Sequence, residues 1–211
     1  MSEHGEVRRG EAAAGSSVGD RLERWLRADE PRTLGSLIEL FGESSFAILF
    51  VLLMALPALP LPTGGATHVL EVIVMLLALE LVAGRREVWL PARWRRMEFA
   101  TPGRQRLLDR LLGLIRRLER FSRPRGRWLL RGYPSRAVFG LAVLVFALTA
   151  FLAPPFSGLD TLPALGAVLL SMGVLMEDAM LSGVGLVVGA LGIVAVIGLG
   201  KVVVRGVRGL L

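Results

Sequence analysis

Cysteine is absent from the 211 residues, which excludes disulfides, thiolate metal sites and a cysteine nucleophile. Histidine occurs only as His4 and His68, too few for a histidine-only metal cage. Enzyme signatures are missing as well: there is no Gly-x-Ser-x-Gly elbow, no paired metal-ligand motif and no phosphate loop. Neither an enzyme nor a cofactor nor a metal is expected, although glycosyl chemistry through two carboxylates, Glu71 and Asp160, stays formally open. The first 45 residues lack a short basic stretch ahead of an apolar core. No cleavable signal peptide is therefore expected, and the first apolar run serves as an uncleaved insertion signal.

What the chain has is apolar residues, 53% of the total, beyond the share of an ordinary soluble domain. They concentrate in residues 46–82 and 137–200, and prolines cut each stretch near its middle. The first break holds Pro57, Pro60 and Pro62 followed by Thr63, Gly64 and Gly65; the second holds Pro154 and Pro155, then Gly158, Asp160 and Thr161. A helix needs about 20 apolar residues to cross a hydrocarbon core of about 30 Å. Phe46 to Leu56 supplies 11 and Thr67 to Val82 supplies 16. Irregular backbone at membrane depth survives only where protein or a wet cavity satisfies it, so the breaks mark the functional centre. The expected fold is all-α: a polytopic integral membrane protein with two proline-broken, re-entrant helical repeats arranged as an inverted pair, plus amphipathic surface helices.

The segments follow from these patterns. Residues 1–16 read as a disordered N-terminus, 17–45 as amphipathic cytoplasmic helices and 46–84 as the first membrane repeat. Residues 85–136 read as an arginine-rich cytoplasmic or interfacial segment. Residues 137–200 read as the second repeat with a final membrane helix, and 201–211 as a basic tail. Ser16 or Ser17 is placed to cap a helix running to about Ala28, Pro31 ends it, Thr33 starts another and Gly42 closes that one.

The net charge of +7 conceals a segregation. Residues 1–45 carry 6 Arg against 9 acids, whereas residues 84–136 carry 16 Arg against 4, a balance near +12. Such an excess sits where a membrane protein faces cytoplasm, and between membrane segments it argues against nucleic acid as a partner. Arg106, Arg110, Arg116, Arg117 and Arg120 lie opposite an apolar stripe in one helix, suited to anionic lipid headgroups. Trp89 and Trp94 stand where an aromatic belt would lie. Topology does not close: two crossings before the arginine-rich loop and three after leave Lys201, Arg205 and Arg208 on the wrong side.

Polar groups inside the apolar runs each need a reason, because an ionisable residue at membrane depth costs about 2.5 to 3.5 kcal/mol on insertion scales. Glu71 sits among valines and leucines with His68 one helical turn earlier. Two readings stand: a proton-relaying or headgroup-holding pair, or a protonated glutamate bonded to carbonyls freed at the break. Glu80 reads as an interfacial ion pair with Arg85 or Arg86. Asp160 reads as a cap for the helix starting at Thr161. Alternatively, the helix starts at Gly64 and Thr161 face one another and bind an anionic group. Glu177 and Asp178 end a helix, where carboxylates oppose its dipole. The Gly185 and Gly189 pair allows close helix approach, within one subunit or along a dimer seam.

Several of these stretches together resemble one family. They are Gly42-Glu43-Ser44-Ser45-Phe46; the run Ala55-Leu56-Pro57-Ala58-Leu59-Pro60-Leu61-Pro62; Gly84-Arg85-Arg86 with Trp89-Leu90-Pro91; Asp160-Thr161-Leu162-Pro163-Ala164-Leu165; and Gly173-Val174-Leu175-Met176-Glu177-Asp178. Over residues 33–200 the chain resembles the bacterial exopolysaccharide-synthesis ExoD family. It departs at Gly158-Leu159-Asp160, where the family tends to show a Gly-Asn pair. The resemblance implies a multi-pass protein of the bacterial inner membrane connected with exopolysaccharide production, and in some members with tolerance of alkaline conditions. It carries no catalytic residue. Two functions remain. One is a small transporter or flippase-like protein that binds a polar or anionic group at the paired breaks, with His68 and Glu71 coupling it to protons. The other is a non-catalytic scaffold that docks anionic lipid or polysaccharide-biosynthesis partners through its arginine-rich face. A homo-oligomer, such as a dimer, fits either.

Overall fold

Capping hydroxyls, prolines and glycines divide this chain into helices where the sequence places them. The structure, a computed structural model, describes residues 17–28, 31–59, 66–96, 98, 102–121, 133–154 and 157–208. The helices among them are α1 Val18–Arg27, α2 Leu34–Phe41, α3 Ser45–Met54, α4 Ala66–Val82, α5 Ala92–Arg95, α6 Pro102–Phe121, α7 Tyr133–Leu152, α8 Thr161–Leu175 and α9 Ala179–Arg208. No strand occurs among the described residues. The expected disordered segment 1–16 lies outside them, as do Pro60, Pro62, Thr63, Gly64 and Pro155. The described parts of 1–42 and 90–123 form one compact unit, and those of 43–89 and 124–211 form another.

In the first unit, Ser17 caps α1, its Oγ accepting from the Asp20 amide at 3.1 Å. Thr33 and Ser36 form a reciprocal capping box at the start of α2. Gly42 closes α2 with φ +50°, a left-handed backbone that glycine adopts without steric cost. Leu22, Trp25, Leu37, Ile38, Phe41 and Ile115 form the core, and the Trp25 indole N–H donates to Ser36 Oγ at 2.9 Å. The Arg21 guanidinium stacks 4.9 Å from the Phe41 ring centroid and donates to the Leu40 carbonyl. Glu119 of α6 accepts from the Gly19 amide at 2.8 Å, so an acid from a distant segment satisfies a free donor in the first turn of α1. Described residues of 17–42 and 90–121, read separately within segments 17–45 and 85–136, thus share one core.

The second unit is built around α3 and α8, which are enclosed by their neighbours. From Ser45 to Leu52, and again at Met54, α3 is buried, as an all-round apolar helix requires. Helices α4, α7 and α9 turn apolar stripes outward at helical spacing: Val69, Val72, Leu76 and Leu79; Val138, Leu141, Val145 and Leu148; Met180, Val184, Val187, Leu191 and Val194. Val69 and Val138 are each 63% exposed and Val194 is 67%. In water, such stripes leave about 25 cal/mol per Å² of burial unrealised, whereas hydrocarbon accepts them without loss. Three helical stretches are long and apolar enough to cross a membrane: Leu34–Met54, Ser135–Leu152 and Ala179–Leu199. Helix α9 also continues to Arg208, so much of the expected basic tail extends the last helix.

Direction corrects one expectation. Glu43, just before α3, bonds Arg136 in the first turn of α7 at 2.5 Å, and the Phe50 and Phe139 rings meet edge to face at 5.7 Å. Helices α3 and α7 therefore start at the same end and run the same way, whereas an inverted repeat would oppose them. Near that end, a Cβ at Gly140 of α7 would lie 3.2 Å from the Ala78 carbonyl in the later half of α4. At the other end, the Phe151 ring meets His68 near the start of α4. Helix α4 thus runs antiparallel to α7, and the described residues that follow α3 (55–59) and α7 (153–154) lie at one end of this unit.

Helices α8 and α9 form a close hairpin. A Cβ added at Gly166 would fall 2.4 Å from Gly189 Cα, and one at Gly185 would fall 2.3 Å from the Leu170 amide nitrogen. The Gly185 and Gly189 pair is therefore occupied within the chain and is not free for a dimer seam. The turn between the helices corrects a second expectation. Asp178, read as opposing a helix end, instead caps α9: its Oδ1 accepts from the Met180 amide at 2.9 Å and the Leu181 amide at 3.3 Å. It thereby satisfies free amides and favours the positive end of the dipole. Asp178→Ala is expected to cost about 1 to 2 kcal/mol, with Asp178→Asn costing less. Denaturant titration of both variants in detergent checks this.

Candidate functional site

The site is built where the two proline turns lead into the following helices. Val51, Met54 and Leu56 carbonyls accept from the amides of Ala55, Ala58 and Leu59, so the chain around Pro57 winds off α3 as a turn. After α7, Ser157 organises the second turn: its hydroxyl donates to the Pro154 carbonyl at 2.6 Å and accepts from the Leu159 amide at 3.2 Å. Gly158, at φ +69°, completes it.

His68 and Glu71 sit one turn apart on α4 and meet, His68 Nδ1 lying 2.7 Å from Glu71 Oε2. The Glu71 side chain is wholly enclosed at 0% exposure, while His68 is 28% exposed and so connects the enclosed carboxyl to the outside. The other carboxyl oxygen, Oε1, has no hydrogen-bond partner among the described residues. Leaving a buried acceptor unsatisfied costs about 1 to 3 kcal/mol, more when it is charged. Whether the pair is written as imidazolium with carboxylate or imidazole with carboxylic acid, one proton occupies the Nδ1–Oε2 bond. Phe151, at the end of α7, holds the imidazole from the side with ring centroids 5.2 Å apart.

Asp160 stands in the second turn, directly before α8. Its expected capping role is not what the geometry shows. Asp160 precedes α8 with helical backbone angles, φ −66° and ψ −26°, and its side chain makes no capping bond. A capping side chain reaches back to the first amides only from an extended backbone, so helical angles withdraw it. Thr161 begins α8 directly after Asp160. Pro163 falls in the first turn of α8, where its missing N–H is no loss.

Other expected contacts sort as follows. Glu80, read as pairing with Arg85 or Arg86, accepts instead from the Trp89 amide at 3.1 Å, which ties the chain after α4 back onto it. Trp89 itself is 61% exposed, as an interfacial anchor would be. On α6, Arg116 pairs with Glu23 while Arg117 and Arg120 are exposed. The side chains of Arg106 and Arg110 lie outside the described residues. Phe151 was not singled out by the sequence, where it is one apolar residue among many; its place directly before the second break was the available signal. No group of three His, Cys, Asp or Glu suited to a metal ion occurs among the described residues.

The family description "Exopolysaccharide synthesis, ExoD" matches residues 18–198 of the chain. The chain belongs to the ExoD family. Its ExoD region takes in α1, beyond the span 33–200 read from motifs, and includes every described residue of the site. Protein ExoD of Rhizobium meliloti (strain 1021) is 30% identical over 155 residues, covering 71% of this chain and 62% of that protein. The uncharacterized protein slr1875 of Synechocystis sp. is 29% identical over 154 residues, 73% of this chain and 72% of that one. No solved structure matches. Membership associates the chain with exopolysaccharide synthesis.

Proposed function

We propose that this ExoD-family chain is a multi-pass protein of the bacterial inner membrane that binds a polar group during exopolysaccharide synthesis or export. Binding occurs at the end where the two proline turns meet, and the His68–Glu71 pair supplies or takes up a proton. The observation carrying this reading is Glu71: wholly enclosed, held by a partly exposed histidine through one oxygen, with its second oxygen unpartnered among the described residues. Ionisable groups so placed in a membrane bundle line substrate or proton paths. Support also comes from the length of α8: at 1.5 Å per residue it spans about 22 Å, shorter than a hydrocarbon core. The turn that precedes α8 then lies below the membrane surface in a re-entrant manner and needs a polar, wet surrounding.

The absence of cysteine makes the test direct. Leu59→Cys and Ser157→Cys, one in each turn, are expected to react with a membrane-impermeant maleimide from the same side, with Arg86→Cys reacting from the other. Reaction of the two turn positions from opposite sides, or of neither from either side, would remove the shared wet site.

A further inference from the structure

Helix α6 has an apolar stripe and a basic one, and the first unit uses only the apolar one. Ile115 is fully buried, Glu119 accepts from the Gly19 amide and the Ser17 hydroxyl, and Arg116 pairs with Glu23 of α1. That side of α6 is closed by α1, so it does not insert into lipid as an interfacial amphipathic helix would.

The opposite side is left open. Positions Arg106, Arg110, Gly113, Arg117 and Arg120 follow one another at intervals of four, three, four and three residues, which places them on one face of the helix with Ile115 behind it. Gly113, Arg117 and Arg120 are exposed, and nothing lies within 4 Å of a Cβ added at Gly113. Neither Arg117 nor Arg120 has an ion pair or hydrogen bond among the described residues. Asp109 is the one acid bordering these four arginines. Other acids of the unit are engaged elsewhere: Glu23 is shared by Arg27 and Arg116, Glu39 pairs with Arg95, and Glu119 is turned to α1. The positive charge along α6 is therefore not compensated within the unit, and an outside anion is attracted to it.

Chain connectivity points to the anion. The chain passes between this unit and the apolar one at residues 42–43 and 89–90. Glu43 pairs with Arg136 at the start of α7, and the amide of the exposed Trp89 donates to Glu80 near the end of α4. Both passages thus leave the apolar unit at the end where α3 and α7 begin. Arg85 and Arg86, which follow α4 directly, are exposed there, and arginine with tryptophan marks a phospholipid headgroup layer. A surface reached through a tether of a few residues is met at high effective concentration, so weak contacts suffice.

We infer that the Arg106–Arg120 face of α6 docks on the anionic phospholipid surface of the membrane that holds this chain. Guanidinium groups meet lipid phosphates while the apolar side of the helix stays on α1, so the contact is electrostatic and reversible. It is independent of the His68–Glu71 pair. Each arginine brought to an anionic surface is expected to favour docking about fivefold, and the attraction fades beyond a Debye length of about 8 Å in physiological salt.

The test uses the full chain carrying Gly113→Cys, its only cysteine, in nanodiscs of phosphatidylcholine alone or mixed with phosphatidylglycerol. Reaction with a bulky, uncharged PEG-maleimide is expected to be about tenfold slower in the anionic discs. The rate should recover in about 1 M salt, where the Debye length falls to about 3 Å. Adding Arg117→Gln and Arg120→Gln is expected to restore the rate in anionic discs and to leave the unfolding midpoint unchanged, since neither side chain has a described partner to lose. Equal rates in the two lipids, or slowing in anionic discs that the double variant leaves intact, overturn the inference. So does protection that high salt fails to remove, the behaviour of an inserted helix. Protection in native membranes that anionic discs fail to reproduce also overturns it, with an acidic protein as the occupant.

Discussion

Glu71→Gln is expected to lower exopolysaccharide output by about a hundredfold, the low end of what a positioned proton-transfer group contributes, in cells that depend on this chain. The same variant should reach the membrane in normal amount. Glutamine keeps the size of glutamate and one carbonyl oxygen toward His68 Nδ1, now 2.7 Å from the carboxyl, so packing around α4 is preserved. What it removes is the ability to take or release a proton and to present a charged second oxygen. A purely structural glutamate behaves otherwise: a half-satisfied buried polar group is replaced by an uncharged one at little cost or with a gain in stability. Output is therefore measured together with the unfolding midpoint. Full output from a correctly inserted Glu71→Gln protein sinks the proton reading; loss of output with intact stability supports it.

The same substitution, glycine to alanine, should have opposite signs at two positions on α9. At Gly185 a new Cβ would lie 2.3 Å from the Leu170 nitrogen and 2.7 Å from its Cα, backbone atoms that yield only if the whole of α8 shifts. At Gly183, two residues earlier, nothing lies within 4 Å of the added carbon. Gly185→Ala is expected to destabilise by about 2 to 3 kcal/mol through overpacking. Gly183→Ala is expected to be neutral or to stabilise by up to about 1 kcal/mol, since alanine is the better helix former. Gly189→Ala should follow Gly185, because its Cβ would enter the Phe146 ring 2.2 Å from Cζ. Unfolding midpoints in detergent or lipid nanodiscs read the difference. Equal stability of the Gly185 and Gly183 variants would mean that α8 and α9 do not pack this closely.

Much of the local structure was legible because local chemistry dictates it. Ser17, Thr33 and Gly42 delimit α1 and α2 as their capping chemistry requires, and Pro57 and Pro154 stand in turns. The His68–Glu71 contact was also readable, since residues three apart on a helix are neighbours whatever surrounds them. Asp160 and Asp178 were not: whether an acid caps, ends or faces a site depends on the backbone angles of one or two residues at a turn. Gly185 could be seen as a close-packing residue, but not which helix would use it.

The sequence by itself determined the all-helical class, the apolar runs, the interrupted halves, the segregation of arginine from the membrane stretches and the ExoD resemblance. All of these follow from composition, spacing and side-chain type. Tertiary structure alone decided that α3 and α7 run in the same direction and that the described residues following them share one end. It also decided that Phe151 of α7 meets His68 beside Glu71, and that α1 and α6 share a core across some hundred residues of chain. Those outcomes depend on long-range packing, in which buried area and close helix approach choose among arrangements that local preferences leave equal in energy.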